Sequence, residues 1–274
     1  MNKKIGFILA VSVIALVMLG TASAGLFDFL GGDAGNATND ENTLIVGFDA
    51  EFPPYGYKDD NGSYVGFDLD LAQEVCERNN WTFKAQPIDW DAKDVELDSG
   101  SIDCIWNGFT IDGREDSYTW SNPYFDNKQI FVVKSDSGIS SIADLSGKTV
   151  ETQKDSSALA ALNGDNKTLK DTFKVLTEVA DYNTAMMDLE SGACDAIAMD
   201  IGVAEYDIDQ KDNPDAFSIL NESITSEKYG IGFKKGNDAL KDKVQATLDE
   251  MFKDGTVEKI AEKYGISNDA LIQP

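Results

Sequence analysis

Arg114 and Asp200 are the two side chains in this sequence whose charge and placement suggest a binding chemistry. Each stands beyond the end of one short phrase that the chain writes twice. Leu97-Asp98-Ser99-Gly100-Ser101-Ile102-Asp103-Cys104-Ile105 returns 92 positions later as Leu189-Glu190-Ser191-Gly192-Ala193-Cys194-Asp195-Ala196-Ile197. The first copy runs on through Asn107 and Gly108 into a polar loop with Thr110 and Arg114, and the second ends at Asp200, opposite Gly108. A planar guanidinium takes a carboxylate through two parallel N–H bonds, and a carboxylate is the natural partner of an ammonium. Facing one another across a cleft, the two would hold a zwitterion. The plainer alternative is an ordinary strand followed by a solvated arginine.

Two similar scaffolds are needed to place them. In each copy the Gly supplies the left-handed residue that ends a helix, and the apolar residues after it suit a buried strand, Ile102 to Ile105 in the first copy. Leu44 to Phe48 reads as a buried strand, and Asp59-Asp60-Asn61-Gly62 as the turn of a hairpin between Tyr55–Lys58 and Ser63–Phe67. Asp68 is expected to cap a helix through Arg78, followed by a strand at Trp81 to Gln86 and a helix ending at Gly100. The series is βαβαβ, the pattern of a largely parallel sheet. Lys128 to Lys134 reads as a first crossing into a second lobe. That lobe has strands at Thr149 to Thr152 and Phe173 to Thr177, a helix begun by Ser156 and Ser157, and another at Tyr182 to Glu190. A helix to about Gln210 and a short strand at Ala216 to Leu220 precede a second crossing, Glu227 to Phe233. Two crossings favour a hinge over a single linker. Leu240, Val244, Leu248, Met251 and Phe252 then share one helix face, Gly255 stops it, and a last helix runs from Val257 to Tyr264.

Composition narrows the chemistry. The 23 basic against 49 acidic residues, a formal charge of −26, would repel nucleic acid and anionic lipid surfaces. With no His, the commonest general base and the commonest metal ligand are both missing, and no catalytic set, metal site or cofactor is expected. Cys76, Cys104 and Cys194 lack metal-ligand spacing; a Cys76–Cys104 disulfide is geometrically open, and Cys194 reads as a small core residue. Lys3 and Lys4, an apolar run from Ile5 to Leu19 and the small residues up to Ala24 form a secretory signal, 1–24. The chain is therefore expected outside the cytoplasmic membrane, periplasmic or at the cell surface, anchored there if the leader stays uncleaved. Residues 25–42, rich in Gly, Asn and Asp, read as a flexible tether, and tripeptides starting at Asn36, Asn61, Asn80, Asn166 and Asn221 fit the N-glycosylation pattern.

Seven short strings in order carry a family resemblance: GFDAEFPPY (47–55), VGFDLDL (65–71), NGFTI (107–111), DLSGK (144–148), DAIAMD (195–200), YGIGF (229–233) and DGTVEKI (254–260). Through them the chain resembles the solute-binding proteins of polar amino-acid ABC importers, the group of the glutamine-, cystine- and histidine/lysine/arginine-binding proteins. The resemblance implies an α/β, two-lobed periplasmic-binding-protein-like fold of type II with lobes joined by two hinge strands. Lobe 1 would take 43–130 and 229–274, and lobe 2 would take 131–228 with the crossings. It implies that Arg114 clamps the ligand carboxylate with Ser157, that Asp200 takes the ammonium, and that Gly108 and Thr110 add backbone and hydroxyl contacts. Asp49 would be a polar contact, with Phe52 and Trp90 as aromatic walls around the ligand side chain. Ser156 is either a second contact or only the helix cap, and Asn107 either a contact or a residue that fixes the turn. The loop before Arg114 is one residue shorter than the family's usual one, and Gly113 is read as the flexible position that lets Arg114 reach. Glu51 near the mouth either favours a cationic ligand or is simply exposed. The expected partners are an amino acid and a membrane ABC permease, with no nucleic acid, and the chain is expected to be a monomer. The competing readings are a ligand-sensing protein for a membrane receptor and a small dehydratase-like enzyme on the same fold.

Overall fold

The computed structural model describes residues 42–273. The leader, the sequon at Asn36 and all of the tether but its last residue lie outside that range. Leu44, Val46 and Phe48 point to one side of the strand Thr43–Phe48 and Ile45 to the other, so this strand is buried on both faces. That is the character of a central parallel strand. It pairs in parallel with Thr82–Pro87 and Cys104–Ile105, and the sheet is completed by Gly232–Phe233 and Thr119–Trp120, both antiparallel. Helices Phe67–Asn79, Asp238–Lys253 and Thr256–Lys263 bury Leu71, Val75, Leu248, Met251 and Val257 on one side of it. The expected hairpin is present as Gly56–Lys58 paired with Tyr64–Val65.

The second sheet holds Val175–Val179, Thr149–Gln153 and Ala196–Asp200 in parallel order. Next to them runs the long strand Phe125–Lys134, antiparallel to Ala196–Asp200, Phe217–Ile219 and Thr225–Tyr229. Phe125–Lys134 and Thr225–Tyr229 carry the chain between the two sheets as a paired ribbon, with Asn127 opposite Glu227 and Phe125 opposite Tyr229. Past Tyr229 the chain bonds to the first lobe, where Gly230 N donates to Phe109 O at 2.9 Å. The fold is the two-lobed α/β arrangement expected.

The repeated phrase has a physical reason. Gly100 (φ 79) and Gly192 (φ 81) both close helices in the left-handed region. Asp103 accepts from Ile45 N at 2.7 Å and Asp195 from Thr149 N at 2.8 Å, each pinning its strand to the first strand of its own lobe. In both, the aspartate's own N–H donates back to that residue's carbonyl, at 2.8 Å.

Several local expectations change. The strand after Gly100 is only Cys104–Ile105, because Ser101 and Ile102 bond back to Glu96 O. The strand expected from Phe173 begins at Val175, since Phe173 N donates to Lys170 O. Cys76, Cys104 and Cys194 are all free, buried thiols. Burial pushes the Cys76 and Cys194 thiols up to about 12, so they behave as small apolar core groups.

Asp68 does not cap its helix. Gly66 is the N-cap, and a Cβ there would lie 2.2 Å from Tyr55 O. Asp68 instead turns into the core, where its carboxylate accepts Gly108 N–H at 2.5 Å and Tyr124 Oη–H at 2.8 Å. Two donors from other segments outweigh the helix's own N–H groups. Asp68 thereby braces the loop that carries Gly108.

Asp68→Ala is expected to lower stability by about 2–4 kcal/mol, because two buried donors lose their acceptor. Chemical denaturation checks this, and a loss under about 1 kcal/mol would remove the brace from the account. Burial also pushes the Asp68 carboxyl up to about 7, against the pull of the Tyr124 and Gly108 donors. An unfolded aspartate titrates near ~3.9, so the native state holds this proton more tightly. Its contribution is fully present below about pH 4 and is lost as pH rises to about 7. The melting temperature at constant ionic strength should therefore climb between about pH 7 and pH 5, and climb less in Asp68→Asn. Equal slopes in the two proteins would refute this assignment.

Candidate functional site

Phe52, Trp90, Asn107, Gly108, Thr110, Arg114, Ser156, Ser157 and Asp200 line one narrow cleft together with Gln153. Asp49 stands directly behind, its carboxylate accepting from Gln153 Nε2 at 2.6 Å and from Glu51 N at 2.9 Å. The cleft forms at the carboxyl ends of parallel strands. Asp49 follows Thr43–Phe48, Asn107 and Gly108 follow Cys104–Ile105, Ser156 and Ser157 follow Thr149–Gln153, and Asp200 ends Ala196–Asp200. Ligand sites of open α/β sheets lie at such ends.

A short turn carries Arg114, with Arg114 N donating to Ile111 O at 2.8 Å through Gly113 at φ 79. Its guanidinium lies over the Phe109 ring, 5.3 Å from the centroid. Nη1 donates to Thr110 O at 3.3 Å, and Nη2 reaches Asp155 O of the second lobe at 3.1 Å. Gly108 has φ 57, and a Cβ there would sit 2.9 Å from Phe52 and 3.1 Å from Tyr229, so both backbone and space require glycine.

Ser156 is the helix cap, accepting Leu159 N–H at 3.1 Å, while its hydroxyl meets Thr152 Oγ1 at 3.2 Å. Ser157, one residue on, donates to the Glu227 carboxylate. Asn107 is buried, and its Oδ1 faces Gly56, where a Cβ would come within 2.4 Å. Trp90 stands edge-on to Phe109 at 5.4 Å, and Phe52 packs by Tyr55 and Tyr182 at 5.7 and 6.1 Å.

Asp200 is buried, and its Oδ1 accepts from Asn127 Nδ2 and Gln129 Nε2 at 2.7 Å each and from Tyr229 Oη at 2.5 Å. Burial first, and then the neighbouring Glu227 carboxylate, push its carboxyl up to about 7. Asp49 is pushed up to about 6 by burial, with Asp181 and Glu51 adding to the rise and its hydrogen bonds opposing it. Just outside, Asp49, Glu51, Asp89, Asp91, Glu96 and Asp181 line a wider acidic mouth with Lys154 and Trp90.

Glu227, Asn127, Gln129, Tyr229 and Gln153 were not among the residues singled out from the sequence. One signal was available: in Phe125–Lys134 the side chains at 125, 127 and 129 are buried while those at 126 and 128 are exposed. Two amides on the buried face of a strand ask for buried partners. Glu227 shares that signal, since it and Tyr229 are buried while Ser226 and Lys228 are exposed, and it reaches the site through the ribbon pairing.

The L-cystine-binding protein TcyJ of Escherichia coli K12 is 30% identical over 235 residues, 84% of this chain and 85% of its own. A solved ABC uptake transporter substrate-binding protein from Streptococcus pneumoniae with bound histidine shares 33% identity at a TM-score of 0.79, covering 81% of this chain and 92% of its own. An ancestral arginine-binding protein bound to arginine shares 38% identity at a TM-score of 0.75, with 81% of this chain and 98% of its own covered. Residues 44–267 match a family-wide pattern, and the chain belongs to the bacterial extracellular solute-binding proteins, family 3.

Proposed function

We propose that this chain captures a polar amino acid outside the cytoplasm by closing its two lobes and delivers it to a membrane ABC permease. The observation that carries this reading is that Arg114 and Asp200, from opposite lobes, line one narrow cleft. Arg114 clamps the ligand carboxylate with help from Ser157, and Asp200 takes the ammonium, with Thr110 and Gly108 beside it. Phe52 and Trp90 wall the side chain, and Asn107 holds the turn. The lobes, 43–130 with 229–274 and 131–228, swing about the paired crossings Phe125–Lys134 and Thr225–Tyr229. The leader at 1–24 exports the chain, and residues 25–42 tether it.

The acidic mouth around Asp49 and Glu51 points to a cationic side chain, because a field of carboxylates favours positive charge and disfavours negative. The names of the relatives, which include cystine, histidine and arginine binders, support the polar amino-acid class. They are binding proteins, and an enzyme on this scaffold would need an acid or base beyond those the ligand charges engage.

A thermal-shift screen of the chain from about residue 25 against the twenty amino acids, cystine and ornithine tests the reading. A ligand at a hundred times its Kd raises stability by about 2.7 kcal/mol, and arginine, lysine or ornithine should give the largest response. Folded protein, free of retained ligand, that responds to none of them would overturn it. Arg114→Ala and Asp200→Ala should each weaken binding by several kcal/mol, since each leaves a ligand charge buried without a partner. Calorimetric changes under about 1 kcal/mol for both would refute the pocket.

A further inference from the structure

Asp200 lines the cleft and Glu227 stands behind it, bonded to the lining residues Thr110 and Ser157; both acids come from strands that pair with Phe125–Lys134, Asp200 opposite Gln129 and Glu227 opposite Asn127. Asn127 Nδ2 and Gln129 Nε2 each donate to Asp200 Oδ1 and to Glu227 Oε1, all four contacts at 2.7 Å. Two amide groups carry four N–H hydrogens, so both are wholly committed to holding two acids side by side. The acids are 4% and 5% exposed, and among the described residues neither forms an ion pair. Tyr229, Tyr55 and Tyr182 face the pair from the crossing strand, the first lobe and a second-lobe helix, and burial holds all three phenols protonated. Arg114, elsewhere on the cleft wall, is its cation, and a ligand carboxylate would engage it.

Two buried carboxylates this close, with no cation of their own, are held by one positive charge between them: a proton, or an ammonium in its place. We propose that Glu227 is the second carboxylate of the ammonium subsite, and that the Asp200–Glu227 pair gives up a shared proton when the ligand's ammonium binds. This rests on the reading that an amino acid's ammonium meets Asp200. The exchange balances: the protonated pair carries one negative charge, the arriving ammonium one positive, and the displaced proton leaves to solvent. The raised Asp200 carboxyl, near 7 and lifted in part by Glu227, agrees with a proton held there at neutral pH. Glu227 also accepts from Thr110 Oγ1 of the first lobe at 2.9 Å and from Ser157 of the second, so the exchange takes place where closure brings the lobes together.

The test is titration calorimetry of L-arginine at pH 6 in two buffers of different ionisation heat, on the natural chain and on Glu227→Gln. Neither the arginine side chain nor its ammonium titrates near that pH, so protons released come from the protein. The natural chain should release about one proton per arginine bound, and its Kd should rise up to tenfold per unit as pH falls from about 7 to about 5. Glu227→Gln, checked for an unchanged melting profile, should release fewer protons and show a shallower change of Kd over that range, since burial still raises the Asp200 carboxyl. Binding without proton release in the natural chain, or equal release in the variant, would overturn the proposal. If arginine does not bind at any pH, the cationic amino-acid reading fails and the pair is judged alone, by carbon-13 NMR titration of side-chain carboxyls in ligand-free protein. One carboxyl titrating near neutrality that moves down in Glu227→Gln would then support the shared proton, and one unmoved by the substitution, or two ordinary carboxyls, would overturn it.

Discussion

The pairing of the long strand Phe125–Lys134 with both Ala196–Asp200 and Thr225–Tyr229 is the constraint on which the site depends. Antiparallel register fixes which side chains share a face, and a slip of one residue would send Asn127 and Gln129 to solvent. With the register observed, those amides sit between Asp200 and Glu227 and satisfy both. The same ribbon is the route between the lobes, so the strands that join the lobes also hold the acids.

A chain with 49 acidic residues can leave most of them in water, where they keep it soluble. Others have definite work: the half-buried Asp103 and Asp195 anchor strand starts, the buried Asp68 braces the Gly108 loop, and the buried Asp49 reaches across to Gln153 of the other lobe. Each is offered N–H or O–H donors by the surrounding chain, which is the condition for burying a carboxylate. Asp200 and Glu227 differ in sharing the same two amide donors, which sets the two acids side by side.

Legibility followed the range of the interaction. Gly100 and Gly192 end helices for a reason contained in a few neighbouring residues, so the helix ends and the strands after them could be read locally. Arg114 and Asp200 stood out because the repeated phrase puts both at strand ends, and the structure places both on one cleft. Asp68 was misread because its residue type and position suit a cap, while its real partners, Gly108 and Tyr124, lie 40 and 56 residues away. Ser156 caps its helix by accepting Leu159 N–H, a role its place before that helix suggested.

By itself the sequence determined the α/β grammar, the two lobes with two crossings, a charge that would repel nucleic acid, and the residues at the strand ends. These depend on periodicity, on glycine's access to left-handed backbone and on residue chemistry, all of which act over short stretches. Only the tertiary structure decided which acids are buried together. Glu227 meets Asn127 across 100 positions of chain, and no local pattern encodes that distance. It follows from strand register, which pairs residues far apart in the chain.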